Sequence, residues 1–306
     1  MSIDARTVKE LRDRTGVGMM DCKKALTETD GDLDRAVGLL REKGLASASK
    51  KASRVAAEGL VGVFVTDDMT RAALVELNCE TDFVAKTDEF HTLLSQVGTA
   101  ILASESLGQG GSEEAAGIEA AADGGPLPGV LTEAIGSMGE NISLRRFTCI
   151  QAQGGVVGGY VHAGGKIGVL VEVEGAGTQD KELIRSLAMQ IAAVVPRYVD
   201  RSQVDGDEVE RERAIYASQA KASGKPDNVV ERIVDGKLEK YYREVCLLDQ
   251  EYIRDSDLTV SKLIEQSATN GTSLKVRGFS RYQLGEGIER KTVNLAEEVA
   301  EQLARS

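Results

Sequence analysis

The chain has 306 residues, a formal net charge of −12, 42% hydrophobic residues and 28% charged residues. That length supports two or three domains with real cores, and the composition is that of an ordinary soluble globular protein. The acidic balance argues against a nucleic-acid binder, whose affinity rests on Lys and Arg neutralising phosphates, and no apolar run approaches the roughly 18 residues of a membrane span.

The first fifty residues read as three helices. Ser2 or Asp4 can cap the first, which runs to about Thr15 with Val8 and Leu11 inward. Gly16-Val17-Gly18 breaks it, and residues 19–29 form the second. Asp32 can cap the third, over 33–43, with Ala36, Val37 and Leu40 buried and Gly44 as its stop. Met19-Met20 admits two readings. At least one is expected to pack between the helices, while an exposed pair would offer an adaptable apolar contact. Residues 46–57 read as a linker whose Lys50, Lys51 and Arg54 are a solvated charge cluster. The opening residues mix acidic and basic side chains where a signal peptide needs an apolar stretch, so the expected compartment is the cytoplasm.

A strand over 72–78 follows, with a polar Glu76 among apolar residues, and then a helix over 88–103 with Phe90, Leu93, Leu94, Val97 and Ile101 at helical spacing. Between them lies Thr81-Asp82-Phe83-Val84. Phe83 is one of only five phenylalanines in the chain, and it stands beside a carboxylate in a strand-to-helix connection. It is either a core plug under the loop or a wedge presented to a partner.

An internal repeat helps to choose. A shift of 96 positions lays Val61-Gly62-Val63-Phe64-Val65 on Val157-Gly158-Gly159-Tyr160-Val161, and Leu74-Val75-Glu76-Leu77 on Leu170-Val171-Glu172-Val173. The second copy continues into a helix over 180–195, with Ile184, Leu187, Ile191, Val194 and Val195 as its apolar set. Around Gly175-Ala176-Gly177-Thr178 it has no aromatic residue. The unit therefore closes without a plug, which favours the wedge.

Residues 108–129 contain seven glycines, two prolines, no aromatic residue and no positive charge. That composition reads as a flexible insertion. Residues 141–153 read as a strand opening the second repeat copy. Helical runs over 207–223 and 227–248 meet at Gly224-Lys225-Pro226, the signature of a helical hairpin. A short helix over 260–268, a strand over 273–282 and a last helix from about Thr292 complete the chain. The last helix carries Leu295, Ala296, Val299 and Leu303 on one face.

The stretch from Leu11 to Leu26, with Thr15-Gly16-Val17-Gly18-Met19-Met20-Asp21-Cys22-Lys23-Lys24 at its centre, resembles the N-terminal signature of the bacterial elongation factor Ts family. Residues 76–86, with Thr81-Asp82-Phe83-Val84 at their centre, resemble the family's second signature. The resemblance continues through Gly139-Glu140-Asn141, Tyr160-Val161-His162, Ile167-Gly168-Val169-Leu170 and Gly285-Glu286-Gly287-Ile288-Glu289. It implies an α+β fold. A ubiquitin-associated-like three-helix domain with its linker would occupy 1–54. A first core subdomain would occupy 55–140, and a second would take 141–206 with 251–283. A coiled-coil protrusion would occupy 207–250 and a C-terminal module 284–306. The implied function is guanine-nucleotide exchange on elongation factor Tu, met in its GDP-bound and nucleotide-free forms. Thr81, Asp82, Phe83 and Val84 would disturb that partner's Mg²⁺ site, with Met19, Met20, Lys23, Met138 and His162 as further contacts.

His162 lies in a Gly-rich hairpin tip and Lys23 on a helix face, where plain solvent exposure is the ordinary reading of each. Met138 reads equally as core. Two histidines, and four scattered cysteines with no Cys-x-x-Cys pair, give no inventory for a metal site, a cofactor or a disulfide framework. No Gly-x-x-x-x-Gly-Lys-Ser/Thr loop is present, so the chain is not expected to hold nucleotide itself. An Asp82–His162 acid–base pair would make it an enzyme, but the sequence around His162 offers no nucleophile or carboxylate partner. A binding-only adaptor built on the three-helix start is the other alternative. A homodimer through the core or the coiled coil stays open.

Overall fold

The computed structural model describes residues 3–104, 127–222, 224, 226–268 and 273–288. Most of the 108–129 insertion and the expected C-terminal helix fall outside these residues.

The three N-terminal helices are α1 (Ala5–Thr15), α2 (Met19–Glu28) and α3 (Leu33–Lys51). Asp4 and Asp32 cap α1 and α3 by accepting the Arg6 and Arg35 backbone N–H groups. Val8, Leu11, Cys22, Ala25, Leu26, Ala36 and Leu40 form one small core. Gly44 does not stop α3, which continues through the expected linker to Lys51. The reason is tertiary. Gly136 of α6 (Leu127–Met138) packs beside Gly44, a methyl placed on it lying at an ordinary contact distance of 3.5 Å from Gly44 Cα. The contact outweighs the weak helix preference of glycine.

Two three-stranded antiparallel sheets make the core. The first joins β1 (Glu58–Val65), β2 (Arg71–Cys79) and β3 (Ser143–Gln151) in that order. The second joins β4 (Gly155–His162), β5 (Ile167–Glu174) and β8 (Lys275–Gln283). Both central strands carry a register shift at the equivalent place, between Glu76 and Leu77 in one and between Glu172 and Val173 in the other. The repeat is thus structural down to its bulge. It extends to the third strands as well, since Phe147 pairs with Val75 and Phe279 with Val171.

The strand expected to open the second copy, over 141–153, is therefore β3 and closes the first sheet instead. A helical hairpin separates β5 from its own edge strand β8, so β8 does not follow β3 at the 96-position shift that relates the other strands. That hairpin is α8 (Gly206–Ala222) and α9 (Asp227–Val245), packed through Ala220, Val230, Val234 and Leu238.

The sheets face each other through Val61, Ala72, Leu74, Ile150, Val157 and Leu170. On the outer face of the first sheet, Phe90, Leu93, Val97 and Ile101 of α5 (Asp88–Ala103) and Leu127 and Ile135 of α6 fill the core. On the outer face of the second, Ile184, Leu187 and Ile191 of α7 (Lys181–Val194) do the same, with α10 (Val260–Ser267) beside them. A two-stranded ribbon, β6 (Glu251–Tyr252) and β7 (Asp255–Thr259), precedes α10. Both faces of β2 are covered, and eight of its nine residues are buried.

Two expectations fail at chain ends of elements. Val194 and Val195 are 39% and 48% exposed rather than inward. The helix has ended there, with Val195 in the left-handed region at φ 55° before Pro196, a place where proline disfavours continued helix. The insertion also stops short of residue 129, because Leu127 begins α6 and is 1% exposed in the first core.

Candidate functional site

The connection between β2 and α5 is a four-residue helix, α4 (Asp82–Ala85). Thr81 caps it, Oγ1 accepting the Val84 N–H. Ala85 points into the core and Val84 packs against it in part. Phe83 points the other way and is 79% exposed. A core plug is excluded by that number. Asp82 stays on the surface beside Lys86, whose ammonium donates to its carboxylate at 2.5 Å. That hydrogen bond holds the Asp82 carboxyl below its ordinary pKa.

An exposed phenylalanine on one turn of helix would wander unless the turn were held. Glu140, just beyond α6, accepts the Glu80 and Thr81 backbone N–H groups on Oε2 at 3.0 and 2.9 Å. Its Oε1 accepts the Thr81 hydroxyl at 2.5 Å. Glu80 returns the bond: its Oε1 accepts the Asn141 N–H at 2.7 Å and pairs with Arg54 at 3.3 Å. Asn141 Nδ2 in turn donates to the Arg54 carbonyl at 2.8 Å. Charge-assisted bonds of this kind contribute about 1.5–3 kcal/mol each when part-buried. This clamp was not legible in sequence, because Glu80 and Glu140 are sixty residues apart and neither carries a local cue for the other.

The remaining sequence candidates distribute around this turn. Met138 ends α6 two residues before Glu140 and packs partly against the first core, in line with its core reading. A methyl on Gly16, in the α1–α2 turn, would lie 3.8 Å from Ser137 Cβ, which brings that turn against the end of α6. Met19 and Met20 are 40% and 64% exposed. Neither packs between helices, because Cys22, Ala25 and Leu26 take the inner face of α2. Lys23 shares the outer face with Met20 and lines the same shallow depression.

His162 is exposed at the end of β4, with Nδ1 2.9 Å from the Tyr160 hydroxyl. Its hairpin is fastened to β1, where Val61 donates to the Gly165 carbonyl at 2.7 Å and Lys166 pairs with Glu58 at 3.2 Å. Because α4 also packs on β1, tip and turn share one end of the core. His162 is thus engaged with Tyr160 and Asp82 with Lys86, and the two do not form an acid–base pair. Among the described residues no group of three or more His, Cys, Asp or Glu side chains could hold a metal ion. No described helix is long and apolar enough to cross a membrane.

Residues 80–286 match the family described as Elongation factor TS. The chain is 48% identical to the elongation factor Ts of a Clostridium botulinum strain over 99% of its own length and 100% of that protein. It is 45% identical to that of Halothermothrix orenii over 99% of each chain. Against that of Clostridium acetobutylicum it is 46% identical, again over 99% of each. The family match runs from the clamped turn at Glu80 to Glu286, the relatives cover nearly the whole chain, and on that ground the chain belongs to the elongation factor Ts family.

Proposed function

We propose that this translation factor is a guanine-nucleotide exchange factor for elongation factor Tu and not a catalyst of bond-making chemistry. The observation that carries the reading is Phe83, 79% exposed on a turn held by reciprocal glutamate bonds. An apolar ring displayed on a rigid mount is suited to entering a partner without first being ordered. Elongation factor Tu holds GDP partly through Mg²⁺ bridging phosphates and protein ligands. Asp82 and Phe83, mounted by Thr81 and Val84, would enter between two helices of its nucleotide domain and disturb that bridge. Met138 and His162 would flank the wedge. Met19, Met20 and Lys23, on a ubiquitin-associated-like domain, would supply docking.

Exchange of this kind is negative coupling between two ligands of one GTPase, and it is reciprocal: nucleotide also expels the factor. Each tenfold gain in release needs about 1.4 kcal/mol. Burying one phenylalanine contributes about 1.5–3 kcal/mol, which supports one or two decades, and the remainder falls to the rest of the interface. The test is the release rate of labelled GDP from elongation factor Tu with and without the chain. Binding without acceleration would turn the reading into that of an adaptor; neither binding nor acceleration would remove the partner as well.

A further inference from the structure

Glu76 stands at 0% exposure in β2, the strand that leads into the Phe83 turn, and nothing in the exchange reading uses it. Its carboxylate accepts from Arg145 Nη1 at 2.8 Å, Arg146 Nε at 2.6 Å and the Gly285 backbone N–H at 2.8 Å. Arg146 reaches further, to the Gln283 carbonyl at 3.0 Å and the Glu286 carboxylate at 3.1 Å. Its guanidinium also lies 4.2 Å from the centroid of the Tyr282 ring. One buried carboxylate and two arginines of the first sheet thus grip the segment that ends the second.

That segment holds the His162 tip. The Leu284 N–H donates to the Lys166 carbonyl at 2.9 Å, and the next N–H along the chain, that of Gly285, is the one Glu76 takes. Lys166 closes the tip, its own N–H donating to the His162 carbonyl at 3.1 Å while its ammonium pairs with Glu58 at 3.2 Å. Two consecutive amides therefore join the strand that carries Phe83 to the hairpin that carries His162.

The second repeat copy closes without such a network. Glu172, the counterpart of Glu76, is only partly buried and accepts the Gln153 N–H at 2.9 Å. Gly278 pairs with it on the neighbouring strand, where Arg146 pairs with Glu76. A buried ion pair adds little net stability over apolar packing of the same volume. What its charge-assisted bonds do supply is geometric definition, because they hold only over a narrow range of distance and angle.

We infer that Glu76 is a positioning residue: through Arg146 and the Gly285 N–H it sets the His162 tip at a fixed place relative to the Phe83 turn. The consequence for exchange, that wedge and tip meet elongation factor Tu as one preset surface, rests on the exchange reading. The geometry itself is a property of the free chain.

The test has two parts. Glu76→Gln keeps the side-chain shape and removes the charge; Glu76→Gln with Arg146→Gln leaves a neutral pair and serves where the single variant folds poorly. Hydrogen exchange of individual amides is measured first, on the free full-length chain. Acceleration over wild type at the Leu284, Gly285 and Lys166 N–H groups should exceed that at Val97 and Ile101 of α5 by about tenfold, as for local loss of a charge-assisted bond. Equal acceleration at all five amides, or none, would overturn the proposal. Binding to elongation factor Tu is measured second. His162→Ala should weaken it at least about threefold less in the Glu76→Gln background than in wild type, since sites that share a frame are not additive. The same loss in both backgrounds would overturn the positioning role. Failure of the wild-type chain to bind elongation factor Tu would fell the exchange reading instead, and the amide measurement would still decide the geometry.

Discussion

Phe83 contributes little to the stability of the folded chain, because four-fifths of its surface already meets water. Substitutions at such positions change stability by about 0.5 kcal/mol or less. Phe83→Ala should therefore leave the melting temperature nearly unchanged while slowing GDP release from elongation factor Tu by about one to two decades, the equivalent of one buried phenylalanine. Both quantities are measured on the same preparation. A loss of about 3–5 kcal/mol in stability, the cost of a core Phe→Ala change, would mean that the ring packs inside the chain. Thr81 is the opposite kind of residue. Its hydroxyl is used twice, once toward Glu140 and once as the cap of α4, so its role is to aim Phe83.

At the scale of elements, α6 is the part that the glycine-rich composition before it conceals. Replacing residues 108–126 by a short Gly-Ser linker should leave exchange intact. Extending the replacement through 129 removes Leu127 from the first core and should cost about 2–5 kcal/mol in urea unfolding. Loss of exchange from the shorter replacement would show that the insertion carries a contact.

The helical hairpin is attached to the core through a different kind of group. Glu208 accepts from the Tyr241 and Tyr198 hydroxyls and from Arg197, the Tyr198 and Arg197 bonds being 2.7 and 3.1 Å long. These bonds hold its carboxyl at about 2, against an ordinary 4.5. A carboxyl depressed on folding stabilises fully above its unfolded pKa and loses that contribution as pH falls toward the folded one. The wild-type chain should therefore lose stability between about pH 4.5 and about pH 2. Glu208→Gln should be less stable at neutral pH but flatter through that window. Parallel melting curves for the two proteins down the acid limb would remove Glu208 as the anchor.

At the scale of the whole molecule, the wedge, the Met19–Met20 face and the His162 tip sit on three separate units joined through α6 and β1. A division of labour follows. If Asp82 and Phe83 act on the Mg²⁺-dependent part of nucleotide affinity, a chelator that removes the metal from elongation factor Tu also removes their advantage. Asp82→Ala and Phe83→Ala should then approach wild type in chelator. Met20→Ala and Lys23→Ala, as docking variants, should stay impaired at limiting factor concentration. Release rate against factor concentration, with and without Mg²⁺, decides this. Equal fold-defects for the wedge variants under both conditions would place their action on the base or ribose side.

The repeat at a shift of 96, the spacing of Phe90, Leu93, Leu94, Val97 and Ile101, and the cap at Asp32 are local patterns. Sequence alone determined them, because periodicity and capping depend on neighbours a few residues away. The absence of an aromatic counterpart to Phe83 in the second copy was equally visible, and it pointed outward for a ring that is in fact exposed. What sequence could not determine were the pairings across long separations. β3 joins the first sheet by pairing with β2, more than sixty residues upstream, and the hairpin inserted before β8 hides the symmetry. Helix α3 outruns Gly44 where α6 arrives from elsewhere in the chain to pack along it. Glu80 and Glu140 hold the turn under Phe83, and Glu76 holds the turn after β8, only after folding brings carboxylates to backbone N–H groups and guanidinium groups that no local rule associates with them. Hydrogen-bond geometry is a property of positions in space, and for this chain the tertiary structure alone supplied those positions.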